Sequence, residues 1–273
     1  MEFLLALLFQ STGAIDIVFC PEHDCESFLI ENLKKNTAEC AFYHVTNQEL
    51  FELAVIHVDS SNYKGQGIPI QSKGLMHHKF CVLNKTHVLF GSANPTANLN
   101  HHNNMLLVES KVFVWNFRNE LRRLKGKKHF FIKNFYYNGY KTSHLFCQTH
   151  NCQNKLYEVV GNANSVRFLF FTFTDKRLAT LLNEKYKVTN NVSGVIEGWQ
   201  NTNFWAVPDL KDTPHKINNG VIQHNKLLIT DQNVVTGSLN PTNNGYNNND
   251  EFIVVFSQPE IVKAYTDYFE RVW

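Results

Sequence analysis

Two segments of this chain, 75–108 and 221–255, carry the same pattern of polar residues set in β-branched and apolar sequence. Each contains a His-x-Lys triplet, then Gly-Ser-x-Asn-Pro-Thr, then a further apolar stretch. Short apolar runs around a turn, such as the one at Asp231 and Gln232, predict a strand, a tight turn and a return strand. Because residues i and i+2 of a strand point to the same face, the histidine and lysine of each triplet should project into one site.

The residues shared by the two segments suit the binding and cleavage of a phosphodiester. Two histidines can attack phosphorus and protonate the leaving oxygen near neutral pH without a metal ion. Two lysines and two Ser/Asn pairs can hold the non-bridging oxygens and stabilise the transition state. The predicted site residues are His77, Lys79, Ser92 and Asn94 in the first segment and His224, Lys226, Ser238 and Asn240 in the second. The sequence has no H-E-x-x-H motif, no P-loop and no two-metal carboxylate cluster.

The repetition extends over most of the chain. Each half shows a Cys-x4-Cys pair, a helix, a strand, a second helix, another strand, the His-x-Lys hairpin and a closing aromatic helix. Strands that alternate with helices predict an α/β sandwich, here duplicated about a pseudo-twofold axis. We predict an apolar N-terminal segment at 1–13, a first half at 14–124, a linker at 125–140 and a second half at 141–273. The linker is basic and aromatic, so we expect it to pack against the body.

The paired motifs resemble those of the phospholipase D superfamily, whose members carry two H-x-K-x4-D motifs. This resemblance implies two α/β halves with one cleft between them and a phosphohistidine intermediate, with no metal and no cofactor. In related two-motif enzymes the first histidine is usually the nucleophile. The resemblance therefore implies His77 as nucleophile and His224 as general acid and then base. It also implies that a carboxylate can reach the histidine of the opposite half, so that Glu251 would orient His77.

The first half departs from the family pattern at two positions. Asn84 stands where the motif aspartate belongs, whereas Asp231 is present in the second half. Met105 stands, by spacing, where the second half has Glu251. His224 would then lack a carboxylate partner, unless Asn103 or Asn104 substitutes. We expect an active enzyme because the other motif residues are retained; the alternative is a non-catalytic phosphate-binding protein.

Several other histidines and cysteines are expected to be structural. His78 should point away from His77. His101 and His102 could line the rim of the cleft, but we expect them to be solvated loop residues. The matched pairs Cys20/Cys25 and Cys147/Cys152, each with a histidine between, leave a zinc site open in principle. We favour thiols at loops or strand ends, and we expect Cys81 to be a small core residue.

The substrate is less constrained than the chemistry. A formal charge of +2 does not by itself indicate nucleic acid, and the basic run at 122–128 is expected to be a solvated helix end. A longer segment at 199–221 carries Trp199, Phe204 and Trp205, which could stack bases or cover an acyl chain. We expect a nuclease acting on nucleic acid, with phospholipid hydrolysis or headgroup transfer as the alternative.

The sequence also bears on the oligomeric state and the cellular location. One chain holds both motifs, so we expect a monomer with a pseudo-dimeric site. The apolar stretch at 1–9 is too short to span a bilayer as a helix, and Glu2 does not fit a signal peptide. A packed helix and a shortened signal or membrane-surface segment are equally compatible with it. The sequence leaves a cytoplasmic or a membrane-associated location open and does not exclude secretion.

Overall fold

The structure, a computed structural model, describes residues 10–96, 99–198 and 205–273. The predictions made for 1–9 and for Trp199 and Phe204 lie outside these residues. Within the described ranges, no helix is long and apolar enough to cross a membrane.

The first half forms a seven-stranded mixed sheet with strand order β2-β8-β7-β6-β3-β4-β5. Its strands are β2 (Ile15–Cys20), β3 (Ala38–Phe42), β4 (Val55–Asp59), β5 (Ile68–Ile70), β6 (Lys79–Leu83), β7 (His87–Gly91) and β8 (Asn103–Glu109). Its helices are α1 (Cys25–Lys34), α2 (Glu49–Leu53) and α3 (Lys111–Leu124).

The second half repeats this arrangement in a nine-stranded sheet with order β1-β9-β10-β16-β15-β14-β11-β12-β13. Its strands are β1 (Gln10–Ser11), β9 (Asn134–Tyr137), β10 (Tyr140–Phe146), β11 (Val166–Phe170), β12 (Val192–Glu197), β13 (His215–Asn218), β14 (Lys226–Thr230), β15 (Val234–Gly237) and β16 (Phe252–Phe256). Its helices are α4 (Cys152–Gly161), α5 (Lys176–Thr189), α6 (Asn243–Asn247) and α7 (Pro259–Val272). The strand β1, from the chain's beginning, pairs with β9 in this sheet.

The two sheets pack on a shared central core, which confirms the predicted α/β architecture of two repeated halves. The core combines their inner faces with α3 and α7 and includes Phe80, Phe117 and Phe252. Each outer face is covered by its own helix pair, α1 and α2 in the first half and α4 and α5 in the second. Strands covered on both sides read as continuous apolar runs: in β6, Phe80 and Val82 lie in the central core and Cys81 and Leu83 in the outer one.

Local sequence explains where the elements begin and end. Asp24 and Asn151 cap equivalent helices by accepting hydrogen bonds from the backbone of Ser27 and Asn154. The strands β3 and β11 end at Phe42 and Phe170, and the residues that follow, Tyr43 and Phe171, direct their rings toward the His-x-Lys triplets. Only the second part of the linker packs as expected: Phe135 and Tyr137 are fully buried in the central core, whereas residues 125–130 are exposed.

The expectation of free cysteines is wrong. Cys20 is bonded to Cys25 and Cys147 to Cys152 at equivalent positions of the two halves, and Cys40 is bonded to Cys81. The loop before each of the helices α1 and α4 brings its two cysteines together, with Cα atoms 5.8 and 5.2 Å apart. Cys81 meets Cys40 because β6 pairs with β3 in this register. All six thiols are therefore used in disulfides and do not form a zinc site.

Candidate active site

The two His-x-Lys triplets lie at the beginnings of β6 and β14, and each is held by the opposite half. The His77 N–H donates to the Asp250 carbonyl over 3.0 Å, and the His224 N–H donates to the His102 carbonyl over 2.9 Å. Lys79 and Lys226 are the first residues of their strands. The predicted histidine and lysine side chains of both segments therefore meet in one cleft between the halves.

Each histidine is oriented by one side chain from the opposite half. The Nδ1 atom of His77 lies 2.7 Å from Oε1 of Glu251, and the Nδ1 atom of His224 lies 2.8 Å from Oδ1 of Asn103. Both contacts leave Nε2 as the ring nitrogen for chemistry. The structure thus places Glu251 against His77 and selects Asn103, of the two asparagines considered, as the partner of His224.

The expected equivalence of Met105 and Glu251 is wrong. Met105 pairs with Gly91 in β7, as Ile253 pairs with Gly237 in β15. Counting back two residues along β8 and β16, the position of Glu251 is occupied in the first half by Asn103. Met105 and Glu251 are equally far along the chain from the Asn-Pro-Thr tripeptide of their own half. This spacing misleads because the second half contains two more residues between the tripeptide and this position, next to the short helix α6.

The two serines support the residues that orient the histidines. The Ser92 hydroxyl donates to Oδ1 of Asn103 over 2.9 Å and accepts the Asn104 N–H over 3.0 Å. The Ser238 hydroxyl accepts the Phe252 N–H over 3.1 Å and lies beside the Glu251 carboxylate. Both serines are fully buried. Direct phosphate binding by them stays a prediction, and the structure adds this second, supporting role.

The two asparagines of the Gly-Ser-x-Asn pattern lie half-buried after the serines. The buried Oδ1 atom of Asn94 makes no hydrogen bond within the described part of the chain. Oδ1 of Asn240 accepts the Thr172 N–H over 3.4 Å. Their amide groups remain candidates for holding a phosphate oxygen.

The lysines are almost completely buried, each under an aromatic ring. The ammonium of Lys79 donates to the His77 carbonyl over 2.6 Å and lies 5.5 Å from the Tyr43 ring centre. Lys226 bonds the His224 carbonyl in the same way and lies 4.8 Å from the Phe171 ring centre. Tyr43 and Phe171 were missed by the sequence argument. Their signal was an aromatic residue just after equivalent strands in both halves.

Burial in this cleft disfavours charge on every titrating group. Burial lowers the pKa of Lys79 to about 7 and holds the pKa of Lys226 well below its ordinary value. Burial, together with the two lysines, holds the pKa values of His77 and His224 well below the usual range. Burial raises the pKa of Glu251 to about 8. A phosphate anion entering the cleft would favour the charged lysines, so the site suits an anionic ligand.

The motif position occupied by Asn84 and Asp231 has a structural task in both halves. Oδ1 of Asp231 accepts the Asn164 N–H over 2.8 Å, and Oδ1 of Asn84 accepts the Thr37 N–H over 3.0 Å. Both side chains tie the hairpin turn to the loop before the neighbouring strand. Asparagine can replace aspartate in these two contacts because each uses a side-chain oxygen as acceptor. The Asn84 amide also donates to Oδ1 of Asn36.

The remaining histidines divide into structural and cleft residues. His78 is fully buried and its Nε2 lies 2.6 Å from Oε1 of Glu120, which confirms its structural role. His101 and His102 are half-buried and not solvated as expected. The ring centre of His101 lies 6.4 Å from that of His224, and Nδ1 of His102 lies 3.2 Å from the Tyr268 hydroxyl. They escape solvent because this loop packs against the opposite half.

Comparison with known proteins matches most of the chain to one family. A family model described as cardiolipin synthase, phospholipase D-like domain, matches residues 29–125 and 159–273. A mitochondrial cardiolipin hydrolase of Xenopus laevis is 28% identical over 127 residues, which are 43% of this chain and 59% of that protein. The chain thus spans less than two thirds of that relative's length.

Two solved structures share the fold at low sequence identity. A phosphatidylserine synthase of Haemophilus influenzae superposes with a TM-score of 0.62 and 10% identity, covering 94% of this chain and 85% of that one. A polyphosphate kinase of Porphyromonas gingivalis superposes with a TM-score of 0.69 and 11% identity, covering 94% of this chain and 50% of that one.

Proposed function

The chain belongs to the phospholipase D-like family, and we propose that it is a phosphodiesterase that works through a phosphohistidine intermediate. One observation carries the proposal: two histidines meet in one cleft, and each has its Nδ1 atom held by a side chain from the opposite half. The names of the family model and the relative, cardiolipin synthase and cardiolipin hydrolase, support the proposal because cardiolipin is a phosphodiester.

The first chemical step uses the two histidines in different roles. His77, with its Nδ1 atom 2.7 Å from Oε1 of Glu251, presents the lone pair of Nε2 to phosphorus. As the P–N bond forms and the bond to the leaving oxygen breaks, His224, whose protonated form the bound phosphate anion favours, gives its Nε2 proton to that oxygen. Lys79 and Lys226 neutralise the non-bridging oxygens, with Asn94 and Asn240 as amide donors.

The second step reverses these roles. Neutral His224 takes a proton from water or an alcohol, whose oxygen attacks phosphorus while the P–N bond breaks and His77 is released. The different partners fit this division of labour. A carboxylate supports the charge that develops on His77, whereas the amide of Asn103 leaves His224 a readier proton donor.

We infer phospholipid as the substrate class. The family model and the Xenopus relative both carry cardiolipin in their names. In addition, Val221 and Ile222, just before His224, are exposed apolar residues. Nucleic acid, the expectation from sequence, stays a second candidate because positive charge is concentrated in the segment that contains the run at 122–128.

Turnover in EDTA on three substrates tests the proposal: anionic phospholipid vesicles, labelled single-stranded DNA and labelled RNA. We expect release of a phospholipid product by the parent protein and none by a folded His77→Ala variant. Cleavage of DNA or RNA alone would instead identify the second candidate. Turnover that His77→Ala and His224→Ala leave unchanged would refute the mechanism.

A further inference from the structure

Positive charge is concentrated in one segment around α3. Eight of the chain's 26 lysines and arginines, but one of its 24 acidic residues, lie between Lys111 and Lys133. That acidic residue, Glu120, is fully buried and paired with His78 and Arg123. The segment therefore has a formal charge of +7, and the remaining residues sum to −5. A local field of one sign selects an anionic partner.

Two large aromatic side chains lie exposed within this charge. Trp115 is 49% exposed and Phe130 is 63% exposed. Trp115, Arg118 and Arg122 follow helical spacing along one face of α3. With Phe130 and its neighbours they line an open groove of about 570 Å³, which we call the α3 groove; its full lining is Trp115, Arg118, Asn119, Arg122, Lys128, His129 and Phe130.

Polar atoms of the groove's side chains hydrogen-bond to backbone carbonyls, so the wall of the groove stays apolar. The Trp115 indole N–H donates to the Phe130 carbonyl over 3.1 Å, so the exposed part of this ring is hydrocarbon. The Nε atom of Arg122 donates to the Lys128 carbonyl over 3.0 Å, which fixes the cation at the rim. Exposed Trp and Phe beside Lys and Arg are the composition that protein surfaces use at the lipid headgroup level.

We propose that the α3 groove docks on an anionic phospholipid bilayer. Trp115 and Phe130 enter the headgroup region, and Arg118, Arg122, Lys127 and Lys128 lie against lipid phosphates. The hydrocarbon wall favours a bilayer over a nucleic acid strand, because an internally satisfied indole has apolar surface to bury. This docking goes beyond the proposed function and requires no turnover.

Vesicle co-sedimentation of full-length protein carrying His77→Ala tests the docking without consuming lipid. The parent should bind vesicles of phosphatidylcholine with phosphatidylglycerol and bind pure phosphatidylcholine weakly. Lys127→Gln with Lys128→Gln should weaken binding about 25-fold, roughly 5-fold for each cation removed. Trp115→Ala with Phe130→Ala should weaken it by at least about tenfold. Two controls, Lys187→Gln with Lys211→Gln and Val188→Ala, alter exposed residues of the second half and should leave binding unchanged.

Two further measurements separate this proposal from the proposed function. With His77 restored, the α3-groove variants should turn over soluble bis(4-nitrophenyl) phosphate like the parent. The Trp115→Phe variant should bind vesicles but lose the blue shift of tryptophan emission on vesicle addition. Vesicle binding that both pairs of groove substitutions leave unchanged would overturn the proposal. So would loss of single-stranded oligonucleotide binding in these variants while vesicle binding persists, since that result identifies a nucleic acid surface.

Discussion

The side chains that contact the two proposed catalytic histidines differ by a single ionisable group. Glu251 contacts His77, whereas the neutral amide of Asn103 contacts His224. A nearby carboxylate favours the imidazolium form, so a histidine without one has a lower pKa. The proton donor of the first step should therefore lose its proton at lower pH than it would beside a carboxylate.

We predict that Asn103→Asp moves the alkaline limb of the kcat/KM profile to higher pH by about one unit or more. His224 must be protonated to donate, so activity falls as pH rises through its pKa, and an aspartate raises that pKa. The measurement is the pH dependence of kcat/KM for the parent and the variant. An Asn103→Ala control should lower the rate without raising the limb. A limb that stays in place in Asn103→Asp would contradict His224 as the acid.

At the residue level, prediction from sequence succeeded for residues whose spacing is fixed within one motif. The His-x-Lys triplets and Glu251 follow from strand geometry and the family resemblance, and the structure brings them together. The partner of His224 could not be selected, because it depends on the register of β8 against β7. Counting from the tripeptide indicated Met105, and strand pairing shows that Asn103 occupies the position.

At the level of hairpins and loops, the side chain of Asn84 has a structural role at the position of the motif aspartate. Its side-chain oxygen accepts hydrogen bonds from the backbone and hydroxyl groups of Thr37. The residue is exposed at the end of the hairpin opposite Lys79, with φ near 54°. Asn adopts this left-handed conformation more readily than most residues.

We predict that Asn84→Asp changes kcat/KM less than about threefold and unfolding free energy by about 1 kcal/mol or less. Steady-state kinetics and urea denaturation measure the two quantities. The comparison is Asp231→Ala, which removes an acceptor of three hydrogen bonds and should cost about 1–3 kcal/mol. A tenfold or greater gain in activity by Asn84→Asp would show that the missing aspartate limits catalysis.

The disulfides depend in part on which strands pair, and the sequence alone did not predict that pairing. Cys40 and Cys81 are 41 residues apart and meet because β6 lies beside β3. In the chain-entropy description, this bond stabilises the fold by about 4 kcal/mol and each five-residue bond by about 2 kcal/mol. We predict losses of these sizes in urea denaturation of Cys40→Ala/Cys81→Ala and of Cys20→Ala/Cys25→Ala. Unfolding curves that are the same for the parent with and without reductant would contradict the three bonds.

On the scale of the whole molecule, the cleft is made from contacts that cross between halves. Each triplet takes its backbone hydrogen bond and its Nδ1 partner from the other half. The central core, which contains residues of both sheets with α3 and α7, holds these contacts in place. The duplicated α/β design was predictable because both halves repeat the same apolar pattern. The entry of β1 into the second sheet was not predictable, because a two-residue strand has no periodic signal.

Because one chain supplies both histidines of the cleft, we can predict the result of mixing two inactive variants. In a monomer, His77→Ala and His224→Ala variants each lack one required group, and combining them places no intact pair in any one cleft. We therefore expect no recovery of turnover when the two inactive variants are refolded together, and a specific activity of the parent that does not change on dilution. A swapped dimer would behave differently: chains exchanging halves would form one cleft with both histidines for each mixed pair, and activity would return in the co-refolded sample. Size-exclusion chromatography of that sample would show whether any recovered activity elutes with a dimer, which would contradict the single-chain site.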